Sequence, residues 1–419
     1  MNTESTSDGP EINSRLLTLC SKLPEIGMQC VPTGRARDFM QVSRHVKRFF
    51  ERQKLPIALK ANPAYTFDEL LPVLQSCSDV YEIEKVKIRN ITLDQQQVQE
   101  LLQCLHRCTK MVYLELSYIQ KNGGTPFDAT FVNDECASEQ NAAVRASQAS
   151  NGEDTLRFPS LLHLNLDSSG NRRCFHFVNI VTCLLGRCKS LTHLNLSWCW
   201  RNEEFGQGNF FLDGLTKCTS LVSLKLTGNG IGDKNMESLA VALAQCPALT
   251  HLALNANRIT PLGVPSLARI LVQNKSLSHL DVGSNYIRDE GLEHLAHALG
   301  QCKTLAHLKL SDNELGPSGA EHLAAVLWQC PLLAHLNLSS NEIDDEGTQK
   351  LAEVLPKCQS LAHLDLKNNW IGSEGLESLV PVLGKCASLK CLILNYHAWH
   401  ATRLDRLRAV AAHVDIKFY

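Results

Sequence analysis

Seven histidines fall in one column of the sequence: His163, His193, His251, His279, His307, His335 and His363, each followed at once by a leucine. The last five recur every 28 residues, and Ser223 and Cys391 hold the same place in other copies. Imidazole is the side chain whose ordinary titration falls near neutral pH, so a row of them has three chemical meanings. A duplicated repeat would simply tile a surface with its histidine. Stacked imidazoles cannot all carry charge without mutual repulsion, which would make the row pH-sensitive. Neighbouring imidazoles could also ligate a metal, with Asp281 and Asp365 two residues on as supporting carboxylates. No single copy offers three ligands, and a flat row is not a closed tetrahedral site, so no metal is expected.

A second cluster is aromatic. The stretch SWCWRNEEFGQGNFF carries Trp198, Trp200, Phe205, Phe210 and Phe211, with Cys199 where other copies have Asn. These rings either fill an enlarged turn or anchor a partner protein, since Trp and Tyr are enriched at interface hot spots. Tyr286, Trp370 and Tyr396 fall on comparable turns. The candidate partner-binding set is therefore Trp198, Trp200, Tyr286 and Trp370 with His251, His279, His307, His335 and His363. Cys104 and Cys108 lie one helical turn apart but supply only two ligands, too few for zinc. The sequence holds no H-E-x-x-H, G-x-S-x-G, G-x-x-x-x-G-K-[ST] or G-x-G-x-x-G motif, so neither a catalytic centre nor a cofactor is expected.

What positions these residues is a repeat. From Leu221 to Ser388 the chain reads as six copies of 28 residues, starting at Leu221, Leu249, Leu277, Leu305, Leu333 and Leu361, and a seventh starts at Leu389. Each opens L-x-x-L-x-[LV]-x-x-N-x-[IL]. Leu308 and Leu310, two apart, point to one side of an extended segment, which leaves His307 and Lys309 on the other. Leu323 and Leu327, four apart, share a helix face. Asn229, Asn257, Asn285, Asn313, Asn341 and Asn369 predict a ladder that satisfies buried turn backbone. One coil cannot cover its own leucines, so the coils must stack. The predicted fold is α/β: a right-handed βα solenoid, or horseshoe, with parallel strands on the concave face, helices on the convex face, and the histidine column on the concave side. Asp289-Glu290, Asp345-Glu346 and Ser373-Glu374 suit helix N-termini.

Outside that block the reading is coarser. Residues 1–15 read as a disordered leader, 16–53 as a helical N-terminal cap, 54–394 as about twelve repeats, and 395–419 as a C-terminal cap. Val86 and Ile88 favour Ile83 over Val80 as the start of the second strand of this region. The polar stretch 120–160 interrupts the period as a flexible insertion. The terminal break falls at His397, where Asn would stand.

Composition narrows the function. A net charge of −2 with 20% charged residues gives no basic field for nucleic acid. No apolar run reaches membrane-span length, and the first fifteen residues hold no apolar signal core. Of 17 cysteines, Cys108, Cys188, Cys218, Cys246, Cys302, Cys330, Cys358 and Cys386 share one repeat position, as small buried apolar fillers do. That usage points to a reducing compartment, the cytoplasm or alternatively the nucleus.

The strand motif, the following Gly and the helix L-x-x-x-L-x-x-Cys resemble the ribonuclease-inhibitor-like class of leucine-rich repeats. That class includes ribonuclease inhibitor, the repeats of NOD-like receptors and the Ran GTPase-activating protein. The resemblance is specific over Leu161 to Leu394 and weaker over Lys54 to Leu116. It implies the horseshoe and a protein-binding surface rather than a reaction. The expected function is a non-enzymatic scaffold for another protein, with no cofactor. A GTPase-activating protein acting on a small GTPase, for which LKLSDNELGPSG from Leu308 is similar to the Ran activator, is the alternative. An immune or pathogen-recognition protein is a weaker one. About twelve strands at about 4.8 Å give an inner arc of roughly 50 Å, enough for an interface of roughly 800 Å² per side.

Overall fold

The computed structural model describes residues 27–29, 57–61, 71, 83–89, 92–93, 95–117, 120–121, 158–167, 185, 188–200, 205, 210–395 and 401–418. The chain divides into two compact units, residues 1–124 with 155–161, and residues 125–154 with 162–419. The expected leader, most of the insertion, Tyr396 and His397 lie outside the described residues.

In the first unit, β1 (Gly27–Gln29), β2 (Ile57–Ala61), β3 (Ile83–Arg89) and, beyond β4 (Thr92–Leu93) and α1 (Gln95–His106), β5 (Tyr113–Ser117) form a parallel sheet in the order β1-β2-β3-β5. β4 pairs separately with β6 (Gln120–Lys121). Val86 and Ile88 are buried in β3, which starts at Ile83. Within 16–53, read as a helical cap, the described residues are those of β1. The sheet therefore begins earlier than helix periodicity alone suggests, because a three-residue strand leaves almost no pattern to detect.

The second unit is a regular βα solenoid. Its strands are β7 (His163–Asn165), β8 (His193–Asn195), β9 (Ser223–Lys225), β10 (His251–Ala253), β11 (His279–Asp281), β12 (His307–Lys309), β13 (His335–Asn337), β14 (His363–Asp365), β15 (Cys391–Leu394) and β16 (Asp415–Phe418). All pair in parallel, in chain order. Between them run α2 (Phe210–Thr216), α3 (Gly232–Leu243), α4 (Val264–Gln273), α5 (Arg288–Gln301), α6 (Pro317–Leu327), α7 (Asp345–Val354), α8 (Ser373–Leu383) and α9 (Ala401–Val410). The strand leucines Leu252, Leu280, Leu308, Leu336 and Leu364 are buried against helix leucines such as Leu267, Leu295 and Leu323. β16 adds a strand beyond the last repeat, pairing Ile416 with Leu392.

The asparagine ladder holds the turns together. Asn285 Nδ2 donates to the carbonyls of Leu254 (3.1 Å), Val282 (2.9 Å) and Gly283 (3.1 Å). Its Oδ1 accepts from the N–H groups of Asn257 and Ile259 in the preceding coil, both at 3.0 Å. One buried side chain thereby satisfies five backbone groups that water cannot reach.

The acids at the helix starts also do more than complement a dipole. Asp344 caps its own helix, accepting from Gly347 N at 3.0 Å. Asp345 reaches into the next coil and accepts from Gly372 N (2.6 Å) and Gly375 N (2.8 Å). Asp289 does the same for Gly316 N (2.7 Å), and Asp233 for Thr260 N (2.8 Å). These acids stand in every second coil, and Pro261 and Pro317 hold the same place in coils between them. The unit of construction is thus a pair of coils.

Candidate functional site

The histidine column is positioned by strand register. His251 pairs with His279, His279 with His307, His307 with His335, and His335 with His363. Each adjacent leucine is locked in the core, so the imidazoles emerge on the other strand face. They stack. Ring centroids are 3.9 Å apart for His251 and His279, 4.0 Å for His279 and His307, and 4.2 Å for the next two pairs. Interplanar angles fall from 16° to 6° along the row. His163 and His193 form a separate pair at 4.2 Å.

Two halves of the row differ in how the rings are held. Thr192, Thr250 and Ser278 place hydroxyls 2.9, 2.7 and 2.8 Å from Nδ1 of His193, His251 and His279. The same hydroxyls lie 3.0, 3.1 and 3.2 Å from a carbonyl of the preceding coil. A hydroxyl has one proton. When it goes to the carbonyl, Nδ1–H donates to the hydroxyl and Nε2 faces outward as an acceptor. His307, His335 and His363 follow Ala306, Ala334 and Ala362, which supply no such tie. These three line an open groove of about 280 Å³ with Lys309, Asn337 and Asp365.

Burial and mutual repulsion favour the neutral imidazole at five of these rings. Desolvation, then repulsion from His251, His307 and His335, lowers His279 to about 4. Desolvation leads the same downward shift at His193, His251, His307 and His335. The flanking charges are balanced where they meet, with Lys309 3.4 Å from Asp281. Among the described residues no group of three or more His, Cys, Asp or Glu side chains could hold a metal ion. Parallel stacked rings aim their lone pairs side by side rather than at one point.

The aromatic candidates separate. Trp198 is 45% exposed and adopts a left-handed backbone, φ +59°. Trp200 is 5% exposed, its ring 5.1 Å from both Phe205 and Phe211. Trp200 is therefore corrected from surface anchor to core: the turn at Trp198 sends one indole outward and the next one inward. Cys199 takes over one role of the ladder Asn, its thiol donating to Leu166 O at 3.1 Å. Tyr286 and Trp370 are exposed, at 45% and 65%, on turns three coils apart, roughly 14 Å by strand spacing.

The cysteine column is buried packing. Burial pushes Cys218 and Cys358 up to about 12, and Cys246, Cys330 and Cys386 to about 11. Thiols held that high are poor nucleophiles. Cys104 and Cys108 are likewise buried, on and just beyond α1.

Residues 187–200, 217–240, 273–296, 301–324, 329–352 and 357–380 match the family described as Leucine Rich repeat. These six segments carry leucine-rich repeats. No curated protein sequence matches it. Among solved structures, an internalin (inlF) from Listeria monocytogenes is similar over 82% of this chain and 81% of its own, at 17% identity and a TM-score of 0.47. Leiomodin-1 Actin-Binding Site 2 is similar over 30% of this chain and 72% of its own, at 19% identity and a TM-score of 0.28. Among the described residues no helix is long and apolar enough to cross a membrane.

Proposed function

We propose that this repeat chain is a non-enzymatic scaffold that docks a partner protein on the strand face carrying the histidine row, the concave side expected of a βα solenoid. The observation that carries the reading is the pre-organised face itself. Five consecutive imidazoles stand in one register at 3.9 to 4.2 Å spacing, beside a 280 Å³ groove edged by Lys309, Asn337 and Asp365. Rigid, half-exposed polar groups bind at lower ordering cost than mobile ones. The full α-helix in each 28-residue coil supports the ribonuclease-inhibitor-like class. The use of thiols as core packing supports a reducing, cytoplasmic setting.

Affinity capture from a native lysate tests the reading. The intact chain and a variant with His279→Gln, His307→Gln and His335→Gln are compared, with Trp328→Ala on the helix side as control. Loss of the captured protein from the histidine variant alone is the expected result. Equal capture by all three removes the strand face from the proposal. The GTPase-activating alternative has gained no supporting observation; catalytic acceleration of Ran-bound GTP hydrolysis by the pure protein would replace the scaffold reading with it.

A further inference from the structure

The histidine row has one break, and the break has the thickness of a ring. Ser223 pairs in register with His193 on one side and His251 on the other, so these two imidazoles lie two strands apart. Two strand spacings are roughly 9.6 Å, and the row elsewhere contracts to 3.9–4.2 Å per ring. About 8 Å between ring centres accommodates one planar group at about 4 Å from each neighbour, an ordinary stacking separation. Both flanking rings are held alike, by Thr192 and Thr250 hydroxyls on Nδ1, so both present a face to the gap. Exposure agrees. His279, His307 and His335, each between two rings, are half-buried, whereas His193 and His251 are exposed.

Ser223 forms the floor of the gap, and Gly228 at the turn carries no side chain, which leaves room for the Trp198 indole to lie against it. Lys225, two residues beyond Ser223 on the same strand face, is exposed and close enough to help lower both His193 and His251. Its charge disfavours a cationic occupant such as an arginine guanidinium and favours a ring with an electron-rich, hydrogen-bond-accepting edge.

We infer that the gap over Ser223 is a specificity pocket for an aromatic side chain of the partner, tyrosine foremost, which inserts between His193 and His251 and completes the stack with its hydroxyl toward Lys225. This inference rests on the docking reading above and names the residue that face selects.

The test uses N-acetyl-tyrosinamide as probe, with N-acetyl-glycinamide as control, and follows the histidine ring signals of the full chain by NMR. His193→Gln and His251→Gln variants assign the two signals. The expected result is a saturable upfield shift of the His193 and His251 ring protons on tyrosinamide addition, larger than that of His307 and His335. Ser223→His, which fills the gap, abolishes the shift, and Ser223→Ala retains it. Should Ser223→His lose its native circular dichroism, Ser223→Phe serves the same purpose. No shift at His193 and His251, an equal shift along the row, or a shift that survives the filling variant overturns the pocket. The measurement needs no partner, so its failure leaves the docking reading to be decided by capture.

Discussion

The imidazoles of His251 and His279 lie face to face with centroids 3.9 Å apart and planes 16° from parallel. Only neutral rings tolerate that approach at low cost. His279 titrates near 4 in the fold, below the ordinary 6.5 that it regains on unfolding. Between those values the unfolded chain binds more protons, so stability is complete above about pH 6.5 and is lost as pH falls toward 4. Thermal melts at pH 7.5, 6, 5 and 4.5 are expected to fall steadily below pH 6.5. His279→Gln should flatten the decline, because it removes both a proton acceptor and a repelling neighbour of His251 and His307. A parallel decline in the variant would exclude His279 as the cause.

Asn285 anchors five backbone groups from a site that is 3% exposed. Asn285→Ala orphans the N–H groups of Asn257 and Ile259, while the three carbonyls keep Asn257 Nδ2, Asn313 Nδ2 and Ala256 N as donors; each buried unsatisfied group costs about 1–3 kcal/mol. Local relaxation recovers part of this, so a loss of about 2 kcal/mol or more is expected in urea unfolding. Asn285→Asp keeps the acceptor but not the amide donor, and should fall between the two. A loss below about 1 kcal/mol for the alanine variant would show that the ladder is ornamental to stability.

The solenoid was legible because its causes are local and repeated. Leucines two apart and four apart fix strand and helix faces, and the Asn column marks a turn that must be satisfied internally. The imidazole face followed from the same alternation. Three things did not follow. The direction of Trp200 depends on the left-handed backbone at Trp198, a conformation that its sequence neighbours do not announce. The reach of Asp233, Asp289 and Asp345 into the next coil is hidden by a one-coil template, which averages them with Pro261 and Pro317; spacing read over two coils would have revealed it. The Ser223 break was visible as a missing histidine, but its meaning depends on the stacking distance, which no sequence states.

The contact between Asp345 and the next coil offers a sharp test of that paired construction. A Cβ on Gly375 would lie 2.6 Å from Asp345 Oδ1, the atom that accepts from Gly372 N and Gly375 N. Gly375→Ala therefore displaces the carboxylate and loses its hydrogen bonds, a destabilisation of about 1–3 kcal/mol. Asp345→Ala alone should cost a similar amount. In the double variant the alanine methyl has no carboxylate to displace, so the two losses should be less than additive, with a coupling of at least about 0.5 kcal/mol. Strict additivity in a denaturation-based double-mutant cycle would separate the two residues.

Trp198 and Gly228 make the last testable pair. The indole of Trp198 rests on Gly228, whose φ of +69° lies in the region glycine enters most readily. Gly228→Ala adds a methyl where the ring now sits and places an L side chain in a left-handed backbone, which costs about 1–2 kcal/mol. The ring must swing off its neighbour, so two readouts should move together. The midpoint of urea unfolding falls, and the fluorescence attributable to Trp198, isolated by difference against Trp198→Phe, shifts to longer wavelength as the indole meets more water. In the Trp198→Phe background the smaller ring leaves more room, and the glycine substitution should cost less. An unchanged Trp198 spectrum in Gly228→Ala would mean that the indole does not rest on this coil in solution.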